Sequence, residues 1–95
     1  MIYFPAQDNA FAAVGIDQGD ALVLEEATPN EGDFTIIAHN DKYQLVQLIG
    51  WDSLGNPIIC RRYTTYPNAV TLFGKACIAG RVTNIIKAEA VYKHE

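Results

Sequence analysis

Apolar residues in this chain come in short blocks, each bounded by Gly, Pro, Asn or Asp. That spacing is the mark of β-strands, whose side chains alternate between two faces, and no stretch holds the 3.6-residue period of a long helix. Tyr3-Phe4 is predicted as a short edge strand stopped by Pro5, and residues 21–25 as the next strand. Residues 34–39 and 43–49 flank Asn40-Asp41-Lys42 as the arms of a hairpin. Ile58 to Tyr63 is a further strand, and Lys75 to Lys87 is the last and longest, with Gly80 a candidate bulge or point of close backbone approach. A single helical turn is predicted from Ala10 to Val14, capped by Asp8 or Asn9 and stopped by Gly15. Loops fall at 27–32, 50–57 and 64–68, and residues 1–2 and 88–95 are expected to be frayed ends. The expected fold class is mainly β, with coiled, partly closed antiparallel sheets and one short helical turn, in a single domain over 1–95.

Two Gly-Asp pairs punctuate this pattern. Gly19-Asp20 runs into Ala21-Leu22-Val23-Leu24, and Gly32-Asp33 runs into Phe34-Thr35-Ile36-Ile37-Ala38-His39. Glycine takes positive φ at no steric cost, and the following carboxylate can accept backbone N–H bonds that fix the bend.

Composition narrows the function classes. With 49% hydrophobic and 19% charged residues the chain is globular in composition. A domain of this size buries only roughly 60–65% of its unfolded surface, so a partner subunit would help it. The first residues show neither a basic region nor an apolar signal core, and no apolar run reaches bilayer-spanning length, so a soluble cytoplasmic protein is expected, with no membrane partner. Cys60 and Cys77 lie in apolar strand-like runs and are expected to be reduced thiols. Residues 1–41 hold eight acids and no Lys or Arg, whereas residues 42–95 hold seven bases against three acids. Arg61-Arg62 is the only adjacent basic pair, and the net charge is −4, which disfavours direct nucleic-acid binding and favours a protein partner.

Catalytic and metal chemistry find few carriers. His39 and His94 are far apart, no Cys-x-x-Cys occurs, and the acids lie singly in turns, so neither a metal nor a cofactor is expected. Ser53 is the lone serine, in a turn beside Asp52 with no histidine or lysine near it in sequence. Cys60 would need a depressed pKa to react, and the strand turns its neighbour Arg61 to the opposite face.

The order of these features resembles the self-cleaving LexA/UmuD family of serine peptidases. Gly15-Ile16-Asp17-Gln18-Gly19-Asp20 and its apolar strand are similar to the family's Gly-Ile-x-x-Gly-Asp segment, and Gly32-Asp33 to its second Gly-Asp strand. Asp41 to Leu48 resembles the family's Asp-Gly-Glu hairpin, Tyr63 to Pro67 its Asn-x-x-Tyr link, and Ile78 to Ile86 its closing strand. The likeness covers roughly residues 3–87, in order; each motif is weak alone and their joint order is the specific part. It implies a LexA/UmuD C-terminal peptidase-like fold.

The departures bear on function. The resemblance puts the family's catalytic serine at Ala10 and its catalytic lysine at Val46. A methyl and an isopropyl group can supply neither nucleophile nor base, and the two are expected to pack against each other in a retired site. No DNA-reading domain and no scissile arm match either. The resemblance thus implies a catalytically dead pseudo-peptidase, not an enzyme, acting as a protein–protein interaction or regulatory module. Its setting would be SOS-type transcription regulation or the DNA-damage response, in a phage- or plasmid-encoded copy. The implied partners are a second copy of itself, a LexA-like repressor, or an error-prone polymerase that it would serve as a UmuD-like accessory subunit. Dimerisation in the family runs through the last strand, which makes Ile78, Gly80, Val82, Asn84 and Ile86 the dimer-interface candidates here. The rival expectation is a hydrolase using Ser53 or Cys60.

Overall fold

The computed structural model describes residues 2–39, 41–63, 68–73 and 77–88, apart from the side chains of His39 and Cys77. The predicted link at Thr64–Pro67, the start of the last strand at Lys75, the tail from 89 and His94 lie outside the described residues.

Among the described residues, seven strands form one antiparallel sheet: β1 (Ile2–Pro5), β2 (Ala21–Glu25), β3 (Phe34–His39), β4 (Lys42–Trp51), β5 (Pro57–Cys60), β6 (Val70–Thr71) and β7 (Cys77–Ile86). A 3-10 turn at Ala12–Val14 lies between β1 and β2, and Ala88 after β7 is helical. The fold is therefore mainly β, as the strand-like spacing of apolar residues predicts. Gly15 ends the helical turn in the left-handed conformation at φ 96°, where its N–H bonds to the Ala12 carbonyl. Asp8 and Asn9 act slightly differently from helix caps: Asp8 Oδ1 accepts from the Ala10 N–H at 3.0 Å, and Asn9 Oδ1 accepts from the Gln18 N–H at 2.8 Å.

Both Gly-Asp turns are built alike. Asp20 Oδ2 accepts from the Asp17 N–H and Asp33 Oδ2 from the Asn30 N–H, each at 2.8 Å. In each turn the Asp N–H returns a bond to the same residue's carbonyl, and the preceding Gly19 and Gly32 sit at φ 93° and 90°.

The lateral order is β1-β2-β7-β3-β4-β5-β6. β7 lies inside the sheet, antiparallel to β2 on one side and to β3 on the other. Of the dimer-interface candidates, Ile78 and Gly80 pair with β3 and Val82, Asn84 and Ile86 with β2, so each is bonded on one side by this chain, and Arg81 between them pairs with both strands. The outermost strands are β1 and the two-residue β6.

The sheet curls. Phe4 of β1 and Tyr43 of β4 bring their rings within 6.3 Å although three strands separate them in the lateral order. The concave side holds Leu22, Leu24 and Ile36, and is plugged from the β1–β2 connection by Ala6, Phe11 and Ile16. Phe4, Ala10, Phe34, Leu45, Val82 and Ile85 pack onto this cluster. Ile37, Val46, Leu48, Ile59 and Leu72 form a second cluster against the other face. The alternation Ile36/Ile37 and Leu45/Val46 assigns each strand residue to its face.

β7 reaches both neighbours through two irregularities. Ile36 pairs with Gly80 and Ile37 with Ile78, leaving Ala79 extra, while Val23 pairs with Asn84 and Leu24 with Val82, leaving Thr83 extra. Such bulges bend a strand and increase its twist, which suits a strand shared by both halves of a curled sheet. Gly80 is the point of closest approach, where the buried Thr35 hydroxyl donates to the Gly80 carbonyl.

Candidate functional site

Two polar assemblies stand out from this scaffold, one closed and one open. The closed one is centred on Asp20, whose side chain is almost wholly buried behind the first Gly-Asp turn. Its carboxylate accepts from the Asp17 N–H at 2.8 Å, from the Ala88 N–H at 3.0 Å and from Lys87 Nζ at 2.5 Å. Lys87 Nζ also donates to Asp17 Oδ2 at 2.9 Å and to the Gly15 carbonyl at 2.8 Å. Burial pushes the Asp20 carboxyl up, but the bonds from Lys87, Ala88 and Asp17 outweigh it and hold its pKa below 3.8. Hydrogen bonds to Asp17 and Asp20 raise Lys87 above 10.5. The arrangement clasps the end of β7 to the first turn. It also corrects the expectation that fraying begins at residue 88, because Ala88 is tied down through its N–H.

The sign of the pH dependence follows. Asp20 is depressed, so its contribution is present above the ordinary carboxylate pKa and is lost as pH falls through its native value, below 3.8. Lys87 is raised, so its contribution is present below 10.5 and is lost as pH rises through its native value. Asp20→Asn replaces one acceptor oxygen by a donor facing other donors. It is expected to lower stability at neutral pH by about 2 kcal/mol, the cost of leaving buried groups unpaired. Urea unfolding at pH 7 and pH 3 checks this: the variant should also lose less on acidification than the parent.

The open assembly is a groove along the connection after β1. One stretch, of about 380 Å³, runs between Gln7-Asp8 and the start of β4, with Lys42, Tyr43, Gln44 and Arg61 along its wall. A second, of about 290 Å³, continues past Asp8 to Asn9 and Ala10, and is closed by Arg62 and Tyr63. The Tyr63 N–H donates to the Ala10 carbonyl at 2.9 Å, which anchors the segment after β5 to the floor. Arg61 Nη1 reaches Gln44 Oε1 at 3.5 Å across the groove. β5 pairs antiparallel with β4 and β4 starts at Lys42, so cations nineteen or more positions apart in sequence converge here.

The sequence-predicted positions fall as follows. Ala10 lies on the groove floor, half-buried, and packs on the concave cluster. Val46 is fully buried in the other cluster, with Ile37, Leu48 and Ile59. β4 offers Leu45, not Val46, to the cluster that carries Ala10. The expected packing of Ala10 against Val46 is therefore corrected, because successive residues of a strand face opposite ways. Ser53 is exposed in a turn fixed by Asp52, whose Oδ1 accepts from the Leu54 and Asn56 N–H groups at 2.9 and 2.8 Å. Hydrogen bonds from Asn56 lower the Asp52 pKa. Cys60 is buried with its thiol donating to the Arg62 carbonyl at 2.8 Å, and Arg61 beside it is exposed. Of the interface candidates, Ile78 packs on the second cluster, Val82 packs on the first, Gly80 is buried, and Asn84 and Ile86 are exposed. Among the described residues no three His, Cys, Asp or Glu side chains gather as a metal site, and no helix is long and apolar enough to cross a membrane.

The groove is the feature that sequence reading missed. Its signal was the charge count itself: every Lys and Arg lies after residue 41. Their convergence depends on β4–β5 pairing. Compared with models of protein families and with curated proteins, the chain matches none.

Proposed function

We propose that this chain is a non-catalytic protein-binding module, related to the LexA/UmuD peptidases and stripped of their serine–lysine dyad. The observation that carries the reading is the order of the elements, with two like-built Gly-Asp turns each leading into a strand of one antiparallel sheet. At the position where the resemblance calls for a lysine, Val46 is buried among Ile37, Leu48 and Ile59, on the face away from Ala10. An amine could not replace it there without a heavy desolvation cost. Ala10, at the serine position, lines the groove and has no hydroxyl to act as a nucleophile. The ordered series of two Gly-Asp turns, hairpin and closing strand supports the kinship, and the groove supports protein binding. The partner class is a LexA-like repressor or another protein of SOS-type regulation. A homodimer would use the outward edges of β1 or β6, the outermost strands of the sheet.

Active-site labelling tests this. Treatment of the folded protein with a fluorophosphonate and with iodoacetamide, read by intact-mass spectrometry, is expected to leave its mass unchanged. Stoichiometric modification of Ser53 or Cys60 under native conditions would replace the module by a hydrolase.

A further inference from the structure

We propose that the groove between Gln7–Ala10 and the Lys42–Gln44 and Arg61–Tyr63 segments is a docking site for an extended, acidic peptide segment of a partner protein. The proposal rests on the reading of the chain as a protein-binding module and names the chemistry of what it binds.

The cations carry the inference. Five Lys or Arg residues are described in full: Lys42, Arg61, Arg62, Arg81 and Lys87. The two outside the groove are neutralised, Arg81 by Glu25 at 2.9 Å and Lys87 by Asp17 and Asp20. The three in the groove form no ion pair among the described residues. Of the eight acids in the first 41 residues, Asp8 lines the groove and Asp41 directly precedes Lys42 in the chain, and neither forms an ion pair with the three cations among the described residues. Lys42, Arg61 and Arg62 thus face Asp8, which accepts from the Ala10 N–H, and the adjoining Asp41, which leaves the groove a small local excess of positive charge. The cleft beside Trp51 is lined by Glu26 and the one beside Ile2 by Glu25 and Glu26, neither with a cation.

The shape and charge together select a peptide. Guanidinium forks bind carboxylates in pairs of parallel hydrogen bonds, and Lys42 adds a mobile point charge. Tyr43 and Tyr63, 62% and 49% exposed, supply flat surfaces for the stems of Glu side chains and hydroxyls for main-chain carbonyls. The two stretches share Asp8 and lie side by side along the Gln7–Ala10 segment, which suits a ligand that follows that segment. A nucleic acid would also meet the cations. Its charge continues beyond the groove, however, into the field of a protein whose net charge is −4, whereas a short segment with a few carboxylates feels mainly the local field.

Fluorescence anisotropy tests the assignment with a fluorescein-labelled decapeptide of alternating Glu and Ser, a Lys/Ser decapeptide and a single-stranded DNA decamer. The acidic peptide should bind, the basic one should not, and affinity should fall several-fold as salt is raised from about 20 to about 200 mM. Lys42→Glu with Arg61→Glu alters two exposed positions and should weaken binding at least tenfold with an unchanged circular dichroism spectrum, since charge-assisted contacts turn repulsive. Thr28→Glu with Ser53→Glu, which adds negative charge outside the groove, should change it less than twofold. Equal loss in both double variants, tighter binding of the DNA than of the peptide, or no peptide binding at low salt would each overturn the docking site. None of these results bears on whether Ser53 or Cys60 is labelled, so a failure here is distinguishable from a failure of the module reading.

Discussion

Gly80→Ala is expected to lower the stability of the domain by about 4 kcal/mol, combining roughly 1–3 kcal/mol each for overpacking and for strained backbone. A Cβ at this position would lie 2.4 Å from the Glu25 carbonyl oxygen and 3.2 Å from its carbon, and both are backbone atoms that cannot swing aside. The backbone sits at φ 156°, a conformation that L side chains rarely adopt. Relief would require β2 and β7 to separate where Glu25 pairs with Arg81, next to the Arg81–Glu25 ion pair. It would also displace the Gly80 carbonyl that accepts from the buried Thr35 hydroxyl. Thermal unfolding followed by circular dichroism checks this, and a fall in Tm of roughly 15–30 °C is expected for a domain of this size. A shift below about 5 °C would mean that β2 and β7 do not approach as described.

Phe11→Ala should cost a similar amount, about 4 kcal/mol, for a different reason. Phe11 is 1% exposed, packs in the concave cluster with Leu22 and Ile36, and meets the Phe34 ring edge-on at a centroid distance of 5.0 Å. Truncating a buried phenylalanine loses its transfer free energy and leaves a void that the curled sheet can close only in part. Phe11→Leu, which keeps most of the volume, should cost about 1.5 kcal/mol. Chemical denaturation of both variants checks the ratio. Phe11 also supports the Asp8–Ala10 wall, so a folded Phe11→Ala protein should bind the acidic peptide more weakly than the parent.

Local chemistry made much of the scaffold legible. Glycine before aspartate is enough to foresee a bend, because positive φ and a short acceptor side chain are properties of those two residues, and both turns use them in the same way. Gly15 as a helix stop, the β3–β4 hairpin and strand 21–25 were readable for the same reason. Gly80 could be marked as unusual within an apolar run, yet its neighbour across the sheet could not be named. Ala88 looked like a frayed end because nothing near it in sequence shows that Asp20 would accept its N–H. The candidate site was the least legible part. Ala10 could be singled out only through the resemblance; the structure puts it on the groove floor, while the partner assigned to it, Val46, turns to the opposite face, and the groove's cations come from separate segments.

By itself, the amino-acid sequence determined the β character of the chain, the positions of its turns, and the division between an acidic first part and a basic remainder. All of these follow from interactions within a few residues or from composition alone. Only the tertiary structure decided that β7 inserts between β2 and β3, that the sheet curls until Phe4 meets Tyr43, and that three cations with no ion pair among the described residues share one groove. The physical reason is that strand alternation fixes which way a side chain faces but not which strand lies alongside. That choice is made by pairing and apolar burial between segments tens of residues apart, where local pattern is silent.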